Sequence, residues 1–208
     1  MAHDANSWIA FVWSGWIATW PTQLLALIWM VWLISWIIGA FFSARTEKHV
    51  RTWDSRAYRI PILAGAILLT PWTAQVLGEQ RLWNPGNALT YVLAALTLAG
   101  TLFTWWARIH LGRFWSNAIT RKEGHRVIDT GPYGLVRHPI YTGLIAAMLA
   151  TGIAVGTVTA LLGALLIAVG LWQKARMEEG FLTTELGADA YGPYCRRVPM
   201  LVPFLRRR

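Results

Sequence analysis

Long uncharged blocks alternate with short charged ones along this chain. Residues 21–42, PTQLLALIWMVWLISWIIGAFF, carry no charge. At about 1.5 Å of rise per residue, some 20 residues of helix cross a hydrocarbon layer of about 30 Å. Residues 60–77 and 86–107 are also uncharged. Residues 139–173 are uncharged throughout and too long for one span. The small-residue run ATGIAVGTVT at 150–159 divides that block into a tight helical hairpin. The pattern predicts an all-α integral membrane protein of about five transmembrane helices, folded as a single membrane domain over residues 1–208. Residues 1–107 read as a transmembrane scaffold, and residues 108–208 as a more polar half that ends in the hairpin and a tail. SWIAFVWSGWIATW at 7–20 is too short to span and is expected to lie at the interface or to extend the first span. No basic n-region or clear cleavage site precedes it, so no signal peptide is expected.

Charge adds an orientation. Of the 19 Lys and Arg, five lie in 45–59, six in 108–138 and seven from 174 onward. Residues 78–85 hold only Arg81, offset by Glu79, and residues 1–20 hold none. Basic loops stay cytoplasmic, so the N-terminus is expected outside and the C-terminus inside. The formal charge of +9 is then topology plus attraction to anionic membrane lipid. Nucleic-acid binding is not expected, because the charge is split among the flanks of spans. The 14 tryptophans suit membrane interfaces.

Pro61 and Pro71 predict a start and a kink in the second span. Gly143, Ala147 and Thr151, and likewise Ala160, Ala164 and Ala168, recur every four positions. Such spacing lets helix backbones approach closely, and both stripes are expected to pack the hairpin. Its second arm, about Thr157 to Leu186, would be roughly 45 Å long. Its last turns, with Glu178 and Glu179, must therefore project into the cytosol.

The segment GPYGLVRHPIYTG, at 131–143, opens the hairpin. Pro139 fits the first helical position, where its missing N–H costs nothing. His138 is then the N-cap, facing the positive end of the helix dipole. Arg137 adds a guanidinium suited to a carboxylate, and TGPYG folds the chain over this helix end. A polar pocket at the membrane surface is one reading; an ordinary basic loop anchoring a span is the other. Cys195 stands alone, which excludes an intrachain disulfide and a thiolate metal site. His125 and His138 lack metal-ligand spacing, so no metal is expected.

HRVIDTGPYGLVRHPIYTG, then KARMEE, then LGADAYGPYCRRVPMLVPF closely resemble the isoprenylcysteine carboxyl methyltransferase family. The shared motifs run in order over about residues 108–204. The resemblance implies an integral-membrane enzyme that uses S-adenosylmethionine, with its cofactor pocket on the cytosolic side. The absence of a GxGxxG after a strand agrees that no Rossmann domain is present. By resemblance, Gly131, Tyr133, His138, Pro139, Tyr141 and Gly143 would line the cofactor pocket. Glu178 and Glu179 would hold the cofactor's polar end, with Glu178 also counted as catalytic. Tyr191 and Tyr194 would close a lid, and Arg137 would sit beside the transferring methyl and orient the acceptor. His110 and His125 gain no role from it.

The acceptor is expected to be lipophilic, most simply a prenylated carboxylate. Phospholipid amines, thiols and other isoprenoid acids remain open. A lipid acceptor would enter sideways from the bilayer, past Trp105, Trp106 and Trp115, with its head meeting Arg137. Two rival readings stand beside this one. A sterol-type membrane reductase would bind NADPH, but Ile140 and Leu144 replace the Asn and Glu usual there. A non-enzymatic accessory protein would have no use for the polar motifs.

Overall fold

The computed structural model describes residues 20–41, 46–49, 52–79, 81–112, 120–122 and 128–205. The expected interfacial helix lies outside them except for Trp20, and so does Trp115. The elements in chain order are α1 (Trp20–Ala40), β1 (Thr46–His49), α2 (Thr52–Leu68), α3 (Pro71–Val76), α4 (Gly86–Leu111), β2 (Thr120–Lys122), α5 (Pro132–Leu135), α6 (Pro139–Val155), α7 (Val158–Leu186) and α8 (Ala188–Arg197). Three of these, over Thr22–Ala40, Gly86–Leu111 and Val158–Glu185, are long and apolar enough to cross a membrane. α6 is apolar but shorter.

The second expected span is two helices. α2 ends at Leu68, and a new helix begins at Pro71. Pro71 takes the first helical position behind an extended Thr70, because a residue before proline avoids the α region. Pro61 lies inside α2 rather than at its start. The hairpin is as expected. Gly156 closes α6 with φ of 76°, a left-handed conformation suited to glycine, and Thr157 caps α7 by accepting from Ala160 N at 3.2 Å. β1 and β2 form an antiparallel ribbon, an addition to the all-α expectation. It arises because both basic segments reach the same end of the molecule, where their backbone groups pair.

The main interhelical contacts run α1 with α4, α4 with α6, α6 with α7, and α7 with α2. The helices thus form a row with α1 and α2 at its edges. Close approaches set its spacing. A Cβ on Gly100 would meet the Gly143 carbonyl at 2.6 Å, and one on Gly65 would meet the Gly163 carbonyl at 2.5 Å. The Gly143–Ala147–Thr151 stripe therefore faces α4 and not the hairpin partner. Within the hairpin, Gly152 meets Ala160 and Ala164.

α1 attaches through tryptophans. Trp29 donates to Thr151 at 3.0 Å and Trp32 to Thr104 at 2.8 Å; Trp32 also stacks on Trp36, which carries the Arg108 guanidinium 4.6 Å above its ring. These tryptophans point into the row, because an indole N–H away from water needs an acceptor and the threonine oxygens supply it. The opposite face of α1, with Leu27, Met30, Leu33, Ile34 and Ile37, is exposed. A stripe that long and apolar suits a lipid-facing surface.

The row has two distinct ends. The ribbon, α5, α8 and the end of α7 share one. The far end holds the α3–α4 connection and the hairpin turn. There Leu82 N donates to Gly156 O at 2.8 Å and the Trp83 indole to Ile153 O at 2.9 Å. Glu79 accepts from Val158 N at 2.7 Å, and from the amide and hydroxyl of Thr159.

Candidate active site

The turn before α6 is fixed first. Gly131 has φ of 57°, and the His110 ring sits where its Cβ would stand, at 2.8 Å. His110 also bonds Thr130 at 2.8 Å and stacks on Tyr133. Beyond α5 the chain extends through Val136 and runs beside the tail. Arg137 N donates to Pro199 O at 2.8 Å, His138 N to Met200 O at 3.1 Å, and the Thr142 hydroxyl to Leu201 O at 2.7 Å. α8 is fastened to the same turn, because the Tyr194 hydroxyl donates to the Tyr133 carbonyl at 2.8 Å and Arg197 pairs with Asp129.

This brings the RHP turn against the glutamates of α7. The Arg137 guanidinium grips Glu179 through both carboxylate oxygens, Nε to Oε1 at 2.6 Å and Nη2 to Oε2 at 3.1 Å. Its Nη1 donates to the carbonyls of Cys195, at 2.8 Å, and Val198. Four of the five guanidinium N–H groups are thereby committed. The His138 ring lies between the two glutamates, Nε2 3.2 Å from Glu179 Oε1 and Nδ1 3.5 Å from Glu178 Oε2. The Tyr141 hydroxyl donates to Glu178 at 2.6 Å, and its ring stacks on His138 with centroids 5.5 Å apart.

Electrostatics follow from this packing. Burial works against the charge on His138, but its hydrogen bonds to Glu178 and Glu179 outweigh that and raise its pKa. Arg137 is treated alike: burial lowers its pKa, and the bond to Glu179 more than restores it. Burial pushes the phenols of Tyr133, Tyr191 and Tyr194 well above their usual range. These tyrosines stay neutral and can donate.

The geometry links Arg137, Glu179, His138, Glu178 and Tyr141 into one connected cluster. Tyr191 and Tyr194 pack edge to face over them in α8, and Tyr133 is buried beneath. Pro139 is fully buried at the start of α6. Gly131 lies apart from the carboxylates, under His110, and Gly143 faces α4. Sequence reasoning missed three residues. His110 holds the Gly131 turn. Lys174 is buried, with Nζ 5.2 Å from the Tyr141 ring centroid and 5.6 Å from that of Tyr58. Tyr58, in the presumed scaffold, is also buried. The signal for Lys174 was present: it stands one helical turn before Glu178 on the same helix. Among the described residues, no group of three or more His, Cys, Asp or Glu could hold a metal ion.

Comparison with known proteins finds similar sequences. Residues 92–184 match the isoprenylcysteine carboxyl methyltransferase family. The match takes in Arg137 through Glu179 and ends before α8, so Tyr191 and Tyr194 lie beyond it. Protein-S-isoprenylcysteine O-methyltransferase of Schizosaccharomyces pombe is 25% identical over 186 residues, 79% of this chain and 77% of that protein. Protein-S-isoprenylcysteine O-methyltransferase B of Arabidopsis thaliana is 29% identical over 133 residues, 61% of this chain and 63% of that protein. The matched segment, somewhat under half of the chain, and both relatives make the chain similar to the isoprenylcysteine carboxyl methyltransferases.

Proposed function

We propose that this protein transfers a methyl group from S-adenosylmethionine to the carboxylate of a lipophilic, isoprenylcysteine-type acceptor at the cytosolic face of a membrane. One observation carries the reading. Two adjacent glutamates meet an arginine, a histidine and a tyrosine where α6 and α7 open, inside the segment that matches a methyltransferase family.

The residues present suit the cofactor. Carboxylates accept from ribose hydroxyls or an ammonium, and neutral tyrosines offer ring faces to adenine or to a sulfonium. When bound, adenosylmethionine supplies an electrophilic methyl group open to in-line displacement. Glu178 and Glu179 hold its polar end, already aligned by Arg137, His138 and Tyr141. Tyr133, Tyr191 and Tyr194 enclose the remainder, with α8 as the cover that excludes water. Pro139 and the Gly131 turn shape the wall, and Gly143 lets α6 approach α4. Arg137 positions Glu179 and the tail, and keeps one N–H for the acceptor. A carboxylate acceptor arrives ionised, so no side chain has to take a proton.

The acceptor's tail stays in the bilayer, since exposing each CH₂ to water costs about 0.8 kcal/mol. It enters between helices near Trp105 and Trp106. The test is detergent-purified protein given methyl-labelled adenosylmethionine and a farnesylated cysteine with a free carboxylate. The expected product is a base-labile methyl ester. No transfer, together with saturable NADPH binding, would favour a reductase instead.

A further inference from the structure

Arg137, His138 and Tyr141 hold the glutamate pair, and they differ in whether their charge can change near neutral pH. The Arg137 guanidinium keeps its proton in any protein. It is also locked by Glu179 and by the carbonyls of Cys195 and Val198. Tyr141 donates its phenol to Glu178. His138 is the third, and imidazole is the side chain whose ordinary pKa lies between pH 5 and 8. Its ring turns one nitrogen to each glutamate, Nε2 3.2 Å from Glu179 Oε1 and Nδ1 3.5 Å from Glu178 Oε2. Both nitrogens donate only when the ring is protonated. Two carboxylates, one on each side, therefore favour the imidazolium, and they raise its pKa against burial.

The ring has no room to move. His138 is only 7% exposed, lies nearly parallel to Tyr141 at an interplanar angle of 6°, and is tied to the tail by its amide, which donates to Met200 O. The charged groups facing the cluster are Arg137 from the turn and Glu178, Glu179 and Lys174 from α7. Tyr141 faces it from α6, Tyr133 stands near Glu178, and Tyr191, Tyr194 and Cys195 of α8 stand near Arg137. Burial holds the α5 and α8 phenols and the Cys195 thiol above their usual ranges, so they stay neutral near pH 7. A cation brought to these carboxylates meets the imidazolium as a like charge, and a like charge disfavours protonation of its neighbour. Because the ring is pinned, its proton leaves in its place.

We propose that His138 is a proton-exchanging counter-ion for the cofactor: it is protonated between Glu178 and Glu179 before binding, and it releases that proton to solvent when adenosylmethionine brings its own positive charge. This rests on the cofactor reading above. By linkage, protonation of His138 weakens cofactor binding by the same factor by which the cofactor weakens protonation. Affinity thus climbs with pH while His138 is protonated and levels off once it is neutral.

Calorimetric titration of the full chain in detergent, repeated in buffers of different ionisation enthalpy, counts the protons. At about pH 6.5, wild type should release at least about half a proton per adenosylmethionine bound. Between about pH 5.5 and about pH 7.0, below the range in which an α-amino group titrates, its affinity should rise at least about fivefold. His138→Gln should release less than about a fifth of a proton, and its affinity should change less than about twofold over the same range. If that variant is not recovered folded, His138→Asn gives the same comparison. Proton release that persists without the imidazole belongs to another group and overturns the role of His138. Wild-type binding with equal heat in every buffer and equal affinity at both pH values also overturns it. Wild type that binds no adenosylmethionine at any of these pH values overturns the cofactor reading itself, and this proposal with it.

Discussion

At the far end of the row, Glu79 reaches across to the start of α7 and accepts from two backbone amides and a hydroxyl. At the site end, Glu178 and Glu179 near the close of the same helix face an arginine, a histidine and a tyrosine. Both ends join helices through carboxylates, but the partners differ in kind. The amides of a helix start need an acceptor whatever else is present, so Glu79 completes a structure. Side-chain cations and a phenol can share their carboxylates with an incoming ammonium or hydroxyl. The same residue type is thus a fastener at one end and, in the function proposed above, a ligand site at the other. The contrast also explains why the hairpin turn needs no tail over it, while the site end is covered by α8 and the segment behind it.

The largest effect should come from Arg137→Ala. It leaves Glu179 without its bidentate partner and frees the Cys195 and Val198 carbonyls. Breaking a buried pair costs about 3–5 kcal/mol, and the low end is expected because the guanidinium keeps some solvent contact. Turnover should fall at least a hundredfold and thermal stability in detergent should drop. Arg137→Lys, which keeps the charge but loses the planar fork, should lower turnover about tenfold, on the order of 1.4 kcal/mol in the barrier, with near-normal cofactor affinity. Turnover that survives the alanine change would remove Arg137 from the machinery.

Next in size, Glu178→Gln or Glu179→Gln should weaken adenosylmethionine binding by about 1.5–3 kcal/mol, the worth of a charge-assisted hydrogen bond. Glu79→Ala should do the reverse. The lost cap should cost about 1 kcal/mol of stability, read as a lower melting temperature, while cofactor affinity stays put. A cofactor defect in the Glu79 variant would erase the distinction between the two ends.

The smallest effect is a pH dependence at the site end. The glutamates favour the protonated form of His138 against its burial, so its folded pKa lies above the ordinary value. Its contribution is therefore complete below about pH 6.5 and is lost as pH climbs through the raised value. Melting temperature should decline over that window above 6.5, and His138→Gln should flatten the decline. A decline that survives the substitution must come from another group.

The helices and the hairpin were legible because long uncharged blocks leave few choices, and because Pro139, Gly156 and Thr157 mark their ends through local chemistry. The RHP turn and the glutamate pair were legible as a motif, though not their mutual grip, which depends on how α6 and α7 cross. Neighbour relations escaped. Nothing local tells that Gly143 faces Gly100 or that Trp29 and Trp32 turn inward to threonines. Pro71 looked like a kink, because an apolar block does not reveal whether its helix restarts. Lys174 escaped because it borders the charged tail in sequence, while the fold buries it against Tyr58 and Tyr141. Tyr58 escaped because α2 reaches the site only through its packing on α7.

The central claim is that the cluster of Arg137, His138, Tyr141, Glu178 and Glu179 binds adenosylmethionine, and calorimetric titration in detergent tests it most directly. Wild-type protein and Glu79→Ala should bind adenosylmethionine with equal affinity, and Glu178→Gln and Glu179→Gln at least tenfold more weakly. Equal affinity in all four proteins would contradict the account.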